Sequence, residues 1–383
     1  MKKTIIILTA FAFTLANAVA QQVRPPENPR KVQVAILFDT SGSMDGLIDQ
    51  AKARIWNIVN EVSSLQYSGQ TPDIQFALYQ YGNSGLTQAS NYIEQILALT
   101  SDLDVISQKL FALRTNGGSE YCGAVIGRSL SDLNWSSSPT DLKMIYIAGN
   151  ESFAQGPVDY KIECQKAADR GIFINTIYCG DYDQGVREFW KDGASCSKGD
   201  YFNIDSDRKI AHIATPYDDD INKYNDSLNR TYYGYGSLGL EKKSMQLEED
   251  SNAEMEAISV KTERSIAKSK KGVYKNASWD LIDAVDEGTA DLSKMKDEEL
   301  PEEFQGKTKE EKEALLEEKR LDRERFQEKI NKLAKSRQSY IDDERKKRAA
   351  SGLEVDDFGT SVNASLMEKA VEIGYEKEAQ NEE

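Results

Sequence analysis

An apolar run from Val32 to Phe38 ends directly in Asp39-Thr40-Ser41-Gly42-Ser43-Met44, and beyond it Ile48, Ala51, Ile55, Ile58 and Val59 recur at helical spacing. A short apolar run closed by a polar turn containing glycine reads as a buried strand, so the order is strand, turn, helix. In an open α/β sheet such a turn lies at the carboxyl edge, where ligands bind. It offers one carboxylate and two serine hydroxyls, hard oxygens that suit Mg²⁺, Mn²⁺ or Ca²⁺ better than Zn²⁺. Asp and Ser also cap helices, which is the plainer reading of the same residues.

From Lys31 onward strand-like and helix-like segments alternate, which favours a mostly parallel sheet covered by helices on both faces. The spacing predicts strands at 32–38, 73–81, 92–99, 142–148, 172–178 and 201–204. Helices are predicted over 103–113, 123–133 and 160–170, with a short one around 186–190.

At the Asp39 turn the chain resembles the von Willebrand factor A (VWA) family, whose metal-ion-dependent adhesion site (MIDAS) opens with Asp-x-Ser-x-Ser. The pattern is complete here as Asp39, Ser41 and Ser43, with Gly42 and Met44 matching its usual form. The resemblance covers residues 31 to 225 and implies a doubly wound, Rossmann-like α/β sheet of six strands. It also implies a divalent cation held by oxygen side chains and completed by a carboxylate from a protein ligand, which is binding and not catalysis. The family's second loop supplies a threonine, and Ser119 stands in that place, with Glu120 beside it as either a further carboxylate or a helix-dipole residue. The third loop departs from the pattern, because Gly149 falls where the family has an aspartate. Either Asn150 or Glu151 substitutes, or the ion is held with one carboxylate fewer and more weakly. The metal set expected from the resemblance is Asp39, Ser41, Ser43, Ser119 and Glu151.

Residues 1–20 carry Lys2, Lys3, an apolar core and Ala18-Val19-Ala20, the form of a secretory signal peptide. Periplasmic or extracellular export is therefore expected, and no later stretch is long and apolar enough for a membrane span. Loss of Lys2 and Lys3 takes the formal net charge from −16 to −18, which disfavours nucleic acid and anionic lipid as partners. In an exported chain Cys122, Cys164, Cys179 and Cys196 read as two disulfides of open connectivity.

Residues 21–30 form a proline-rich leader, and 226–250 are expected to be a linker that includes Gly234-Tyr235-Gly236-Ser237-Leu238-Gly239, with no strand before it to make it a nucleotide loop. His212 lacks any motif that would make it a base. A helical region follows over 251–350, where Phe326, Ile330, Leu333 and Tyr340 form a short heptad-like stripe that suits a coiled coil, through which the chain could form an oligomer, and a solvated single helix or hairpin about equally. Residues 351–383 read as a tail with a short helix near Leu366 to Ile373. Because the apolar segments concentrate in 31–225, that part is expected to fold alone. Two functions from different classes follow, a cation-dependent protein-binding module and a metal-free scaffold of the cell envelope.

Overall fold

A computed structural model describes residues 29–45, 48–204, 213–351 and 358–377. The expected signal peptide, most of the leader, His212 and the last residues of the tail lie outside them. The first half of the chain alternates as expected: β1 (Lys31–Asp39), α1 (Ile48–Val62), β2 (Leu65–Gln66), β3 (Asp73–Tyr81), β4 (Ile93–Thr100), α2 (Leu103–Phe111), α3 (Cys122–Asp132), β5 (Leu142–Gly149), α4 (Tyr160–Asp169), β6 (Phe173–Cys179), α5 (Tyr182–Arg187), α6 (Trp190–Ser195) and β7 (Tyr201–Ile204). All six predicted strands form one sheet in the order β4-β3-β1-β5-β6-β7, with β4 antiparallel to β3 and the other pairs parallel. This is the doubly wound, VWA-like order, and it puts Asp39 at the carboxyl end of a central strand, opposite Tyr81.

Strand periodicity assigns the two faces. Val32, Val34, Ile36 and Phe38 of β1 enter one apolar cluster with Leu142, Met144 and Tyr146 of β5. Ala35 and Leu37 enter the other with Ile145 and Ile147. Both faces are buried, which is why these strands read as continuous apolar runs and not as alternations. The helix expected around 186–190 is two short ones, α5 and α6, separated at Phe189, whose φ of 68° is unusual for a residue with a side chain.

The two sheet faces also decide the cysteine chemistry. Cys164 and Cys196 are bridged, with Cα atoms 5.8 Å apart, tying α4 to the end of α6. The second predicted disulfide is not formed: Cys122 and Cys179 are free and buried, and they belong to opposite core clusters with the sheet between them. Alkylation of the unfolded, unreduced protein should therefore label Cys122 and Cys179 and leave Cys164 and Cys196 untouched. A protein with no alkylatable thiol would contradict this arrangement.

The C-terminal half is α7 (Asp218–Asn229), α8 (Gly239–Glu256), α9 (Ile258–Lys268), α10 (Leu281–Asp286), α11 (Lys309–Ala350), α12 (Phe358–Glu372) and β8 (Glu376–Lys377). Its layout corrects three expectations. The boundary at 225 falls inside α7, and most of the expected linker is α8 and the turn before it. That turn is packed and not loose: a Cβ on Gly234 would meet the Gly239 carbonyl oxygen at 2.3 Å, so the two glycines allow a close backbone crossing. The stripe on α11, a helix of 42 residues and about 63 Å, is occupied within the chain. Ile330 is fully buried, Phe326 stacks near Tyr224 of α7, and Tyr340 meets Tyr217.

The helices complete the core begun by the sheet. Ala253, Val260, Ile266, Tyr274, Ile330, Val362 and Leu366 share one apolar cluster with α1, α2 and the strands. A buried polar network joins the halves. Arg264 of α9, with no exposed side chain, pairs with Asp104 of α2 and donates Nε to Asp250 at 2.9 Å, while Lys268 reaches Asp250 at 2.7 Å. Tyr274 donates to the second oxygen of Asp104 at 2.5 Å. The tail returns to the start of the chain, where β8 pairs with β2, Tyr375 donates to the Lys31 carbonyl at 2.8 Å, and Arg30 donates to the Ile373 carbonyl at 2.7 Å.

Candidate cation site

Three loops meet at the carboxyl edge of the sheet. The first is the Asp39 turn, in which the Ser41 amide donates to Asp39 Oδ1 at 2.7 Å and the Ser41 and Ser43 hydroxyls lie 2.8 Å apart. The second is the segment between α2 and α3. It is pinned by the Asn116 amide on the Thr40 carbonyl (2.9 Å) and by the Ser84 amide on the Gly117 carbonyl (2.5 Å). Gly118 presses so near Gly82 that a Cβ would sit 1.6 Å from its carbonyl oxygen, and only glycine allows this approach. The third loop follows β5. There the Ser43 hydroxyl donates to Asn150 Oδ1 at 2.9 Å, and Asn150 Nδ2 donates back to the Ser43 carbonyl at 3.0 Å.

The electrostatics centre on Asp39. Its side chain is fully buried, and Oδ2 has no hydrogen-bond partner. Burial pushes its carboxyl up to about 7; hydrogen bonds from Ser41 oppose the rise, and the charges of Glu120 and Glu151 add to it. Glu120 is itself raised by burial and by Glu151, against hydrogen bonds from Ser41 and Gln155. A buried carboxylate oxygen left unpartnered costs several kcal/mol in its charged form, so the pocket favours either a proton or a cation. An added cation would relieve the mutual repulsion of three acids.

Of the five residues expected to hold metal, Asp39, Ser41 and Ser43 are brought together. Ser119 lies half-buried in the second loop, and its hydroxyl makes no hydrogen bond to the serine pair among the described residues. Glu151 is exposed at the rim, its carbonyl held by Trp190 Nε1 at 2.7 Å, and it acts on Asp39 by charge. Glu120 turns inward: its Cγ lies 3.0 Å from where a Cβ on Gly82 would be, and Asp39 Oδ1 lies 2.8 Å from the same point. The sequence could not separate a ligand from a dipole residue at Glu120, because a helix start explains either. Among the described residues no group of three or more His, Cys, Asp and Glu side chains is arranged to hold a metal ion. A cation at this turn would depend on the two hydroxyls as much as on carboxylates, a donor set that fits Mg²⁺ or Mn²⁺.

The glycine in the third loop has a packing cause. A Cβ on Gly149 would meet Tyr81 Oη at 2.6 Å, Trp190 Cη2 at 3.0 Å and Asp39 Oδ2 at 3.1 Å. The Tyr81 hydroxyl, which donates to the Ala148 carbonyl at 3.0 Å, fills the volume an aspartate would need. Gly149→Asp should therefore destabilise the fold by about 1–3 kcal/mol through overpacking. Adding Tyr81→Phe should recover part of that loss and raise Mn²⁺ affinity above that of the natural chain. Urea unfolding and a Mn²⁺ titration test this, and a Gly149→Asp variant as stable as the parent would refute the packing argument.

No family profile matches the chain, and no curated protein does. Its neighbours among solved structures are VWA domains. The conserved hypothetical protein BatB from Bacteroides thetaiotaomicron is 16% identical at a TM-score of 0.35, covering 45% of this chain and 90% of that one. PTMP1 of the mussel byssus, solved with a zinc-occupied MIDAS motif, is 13% identical at 0.36, covering 47% of this chain and 43% of that one. The pilus adhesin SpaC from Lactobacillus rhamnosus GG is 14% identical at 0.35, covering 47% and 29%. This chain thus spans less than half of PTMP1 and of SpaC. The strand order, and not these likenesses, carries the fold assignment.

Proposed function

We propose that the chain is an exported protein-binding module that captures a carboxylate of a partner protein through a divalent cation seated on Asp39, Ser41 and Ser43. Ser119, Glu120 and Glu151 would stand around it. The observation that carries this reading is Asp39 Oδ2, a buried and unpartnered carboxylate oxygen beside two paired hydroxyls at the carboxyl end of a central strand. Asp39 is the one carboxylate within the turn itself, so coordination is left for the partner's acid to complete, and ion and ligand should bind cooperatively. The role is binding, with no step of bond chemistry. The Cys164–Cys196 bridge supports an oxidising compartment, hence export, and no described helix is long and apolar enough to cross a membrane.

A metal-free docking or scaffold role has its own observation, the reciprocal Asn150–Ser43 hydrogen bonds that close the turn on itself. Calorimetric titration of the full chain with Mg²⁺, Mn²⁺ and Ca²⁺ separates the two. Saturable binding that Asp39→Ala abolishes and Ser119→Ala or Glu151→Gln weakens supports the cation reading. No binding by the natural chain at millimolar metal supports the scaffold.

A further inference from the structure

Beside the cation turn, and separate from it, a groove of about 620 Å³ runs between α2 and α8. One wall is a single face of α8, from Glu248 and Glu249 through Asn252 to Met255. These positions, spaced by one, three and three residues, stack along one side of a helix. The other wall is the end of α2 with Phe111, followed by the stretch through Arg114 and Thr115 that leads into the second loop. Acids outnumber cations in the lining, with Glu248, Glu249 and Glu256 on α8 and Asp45 opposite, against one cation. Arg114 lines it, but its guanidinium is folded back to cap α2, donating to the carbonyls of Phe111 and Leu113 at 2.7 and 2.8 Å. Glu248 is exposed. Asp45 is also exposed at the end near the cation turn, where it accepts a hydrogen bond from the Thr115 hydroxyl.

Glu249 sets this groove apart from an ordinary acidic surface. Its side chain is fully buried, Oε1 accepts from Asn252 Nδ2 at 3.2 Å, and Oε2 has no partner. Its neighbours are mixed in sign: Arg264 favours its charged form, while Asp104 and Glu248 oppose it. A buried acceptor without a donor is costly and marks a place where a donor from outside would be strongly held. Around this acid the lining is mixed, with Gln108, Thr115 and Asn252 beside two apolar side chains, Phe111, which is half-buried, and Met255, which is largely exposed. A methionine left in water beside an aromatic ring offers an adaptable surface for an aliphatic stem.

We propose that this groove binds a basic segment of a partner protein, with an arginine guanidinium on Glu248 and Glu249 and its methylene stem against Phe111 and Met255. Arginine fits better than lysine, because its planar fork can serve two carboxylates and it sheds water more readily. A free divalent cation fits worse, because Phe111 and Met255 offer it no ligand and the second carboxylate, Glu248, is exposed. The proposal does not depend on metal at the Asp39 turn.

Calorimetry on the full chain tests it, with an acetylated and amidated peptide of four Ala-Arg repeats as probe, in about 150 mM salt to screen the general attraction of an acidic protein. The same peptide with citrulline in place of arginine is the neutral control. The arginine peptide should bind and the citrulline peptide should not. Glu249→Gln should weaken binding about tenfold, Glu248→Gln and Met255→Ser by smaller factors of about three, and Glu298→Gln, remote from the groove, not at all. Asp39→Ala should leave binding unchanged. If Glu249→Gln fails to fold, the exposed positions Glu248 and Met255 decide the matter alone. Equal binding by the natural chain and the groove variants would overturn the proposal in favour of unspecific attraction. Loss in Asp39→Ala alone would move the site to the cation turn, Ca²⁺ displacing the peptide from the groove would make it a metal site, and no binding at all would refute it.

Discussion

Arg264→Ala should cost the folded protein about 3–5 kcal/mol, the usual penalty for removing one partner of a buried charge pair. The loss arises because Asp104 is fully covered and would keep only Tyr274 as a donor, while Asp250 would rely on Lys268 and two asparagines. Replacing the pair together, as Arg264→Met with Asp104→Leu, should be far milder, since an apolar pair of similar volume avoids the desolvation that the ions must overcome. Urea unfolding of the three proteins measures both effects. A loss below about 1 kcal/mol in Arg264→Ala would mean that water reaches this network and that it does not lock the halves. The same geometry predicts that truncation after Asn225 yields an insoluble or molten chain. The cut falls within α7 and strips from α1 and α2 the helices that complete their apolar cluster. A soluble, cooperatively unfolding fragment 31–225 would restore the boundary that the composition suggests.

The stability of the metal-free protein should fall as pH rises from about 4 to about 7, through Asp39. Its carboxyl ionises near 3.8 when unfolded and about 7 when folded, because burial disfavours the charge. Over that window the folded state holds a proton that the unfolded state has released. The contribution is therefore fully present below the unfolded value and is lost as pH climbs through the folded one. At about 1.4 kcal/mol per pH unit the loss is on the order of 4 kcal/mol, and it levels off above pH 7. Asp39→Asn should remove most of this slope and make the metal-free protein more stable than the parent at pH 8. Glu120, also raised, leaves a smaller slope of the same sign. Saturating Mg²⁺ should reverse the loss in the parent by binding the folded state only, and should do nothing for Asp39→Asn. Urea midpoints between pH 5 and 8, with EDTA or Mg²⁺, read all of these. An identical pH profile for parent and variant would show that Asp39 is solvated, and the argument from its orphaned oxygen would fall with it.

Much of the molecule is local in origin and so was legible in the order of residues. The six strands are short runs bounded by turns, and each forms close to where its pattern placed it; β1, β5 and β6 are buried on both faces and need little beyond length and apolarity. The Asp39 turn was equally local: three oxygen side chains at alternate positions after a strand stay together whatever surrounds them. The residues of the second and third loops were found by position, but their roles were not. Glu120 faces inward only because Gly118 and Gly82 let two backbones touch, and Gly149 is explained by Tyr81 and Trp190, which lie 68 residues before it and 41 after it in sequence.

What the sequence determined by itself is the set of elements and the oxygen-rich turn, features fixed by neighbours along the chain. The tertiary structure decided what depends on opposite faces and distant partners. Two cysteines that looked like a second bridge are held apart because the sheet runs between them. A region of low apolar content is part of the core because buried ion pairs, Arg264 with Asp104 and Arg323 with Asp280, take the place of some of the greasy contacts that composition would count. Charge reads as solvent exposure in a sequence, and only the fold reveals which charges have been paired and taken out of water.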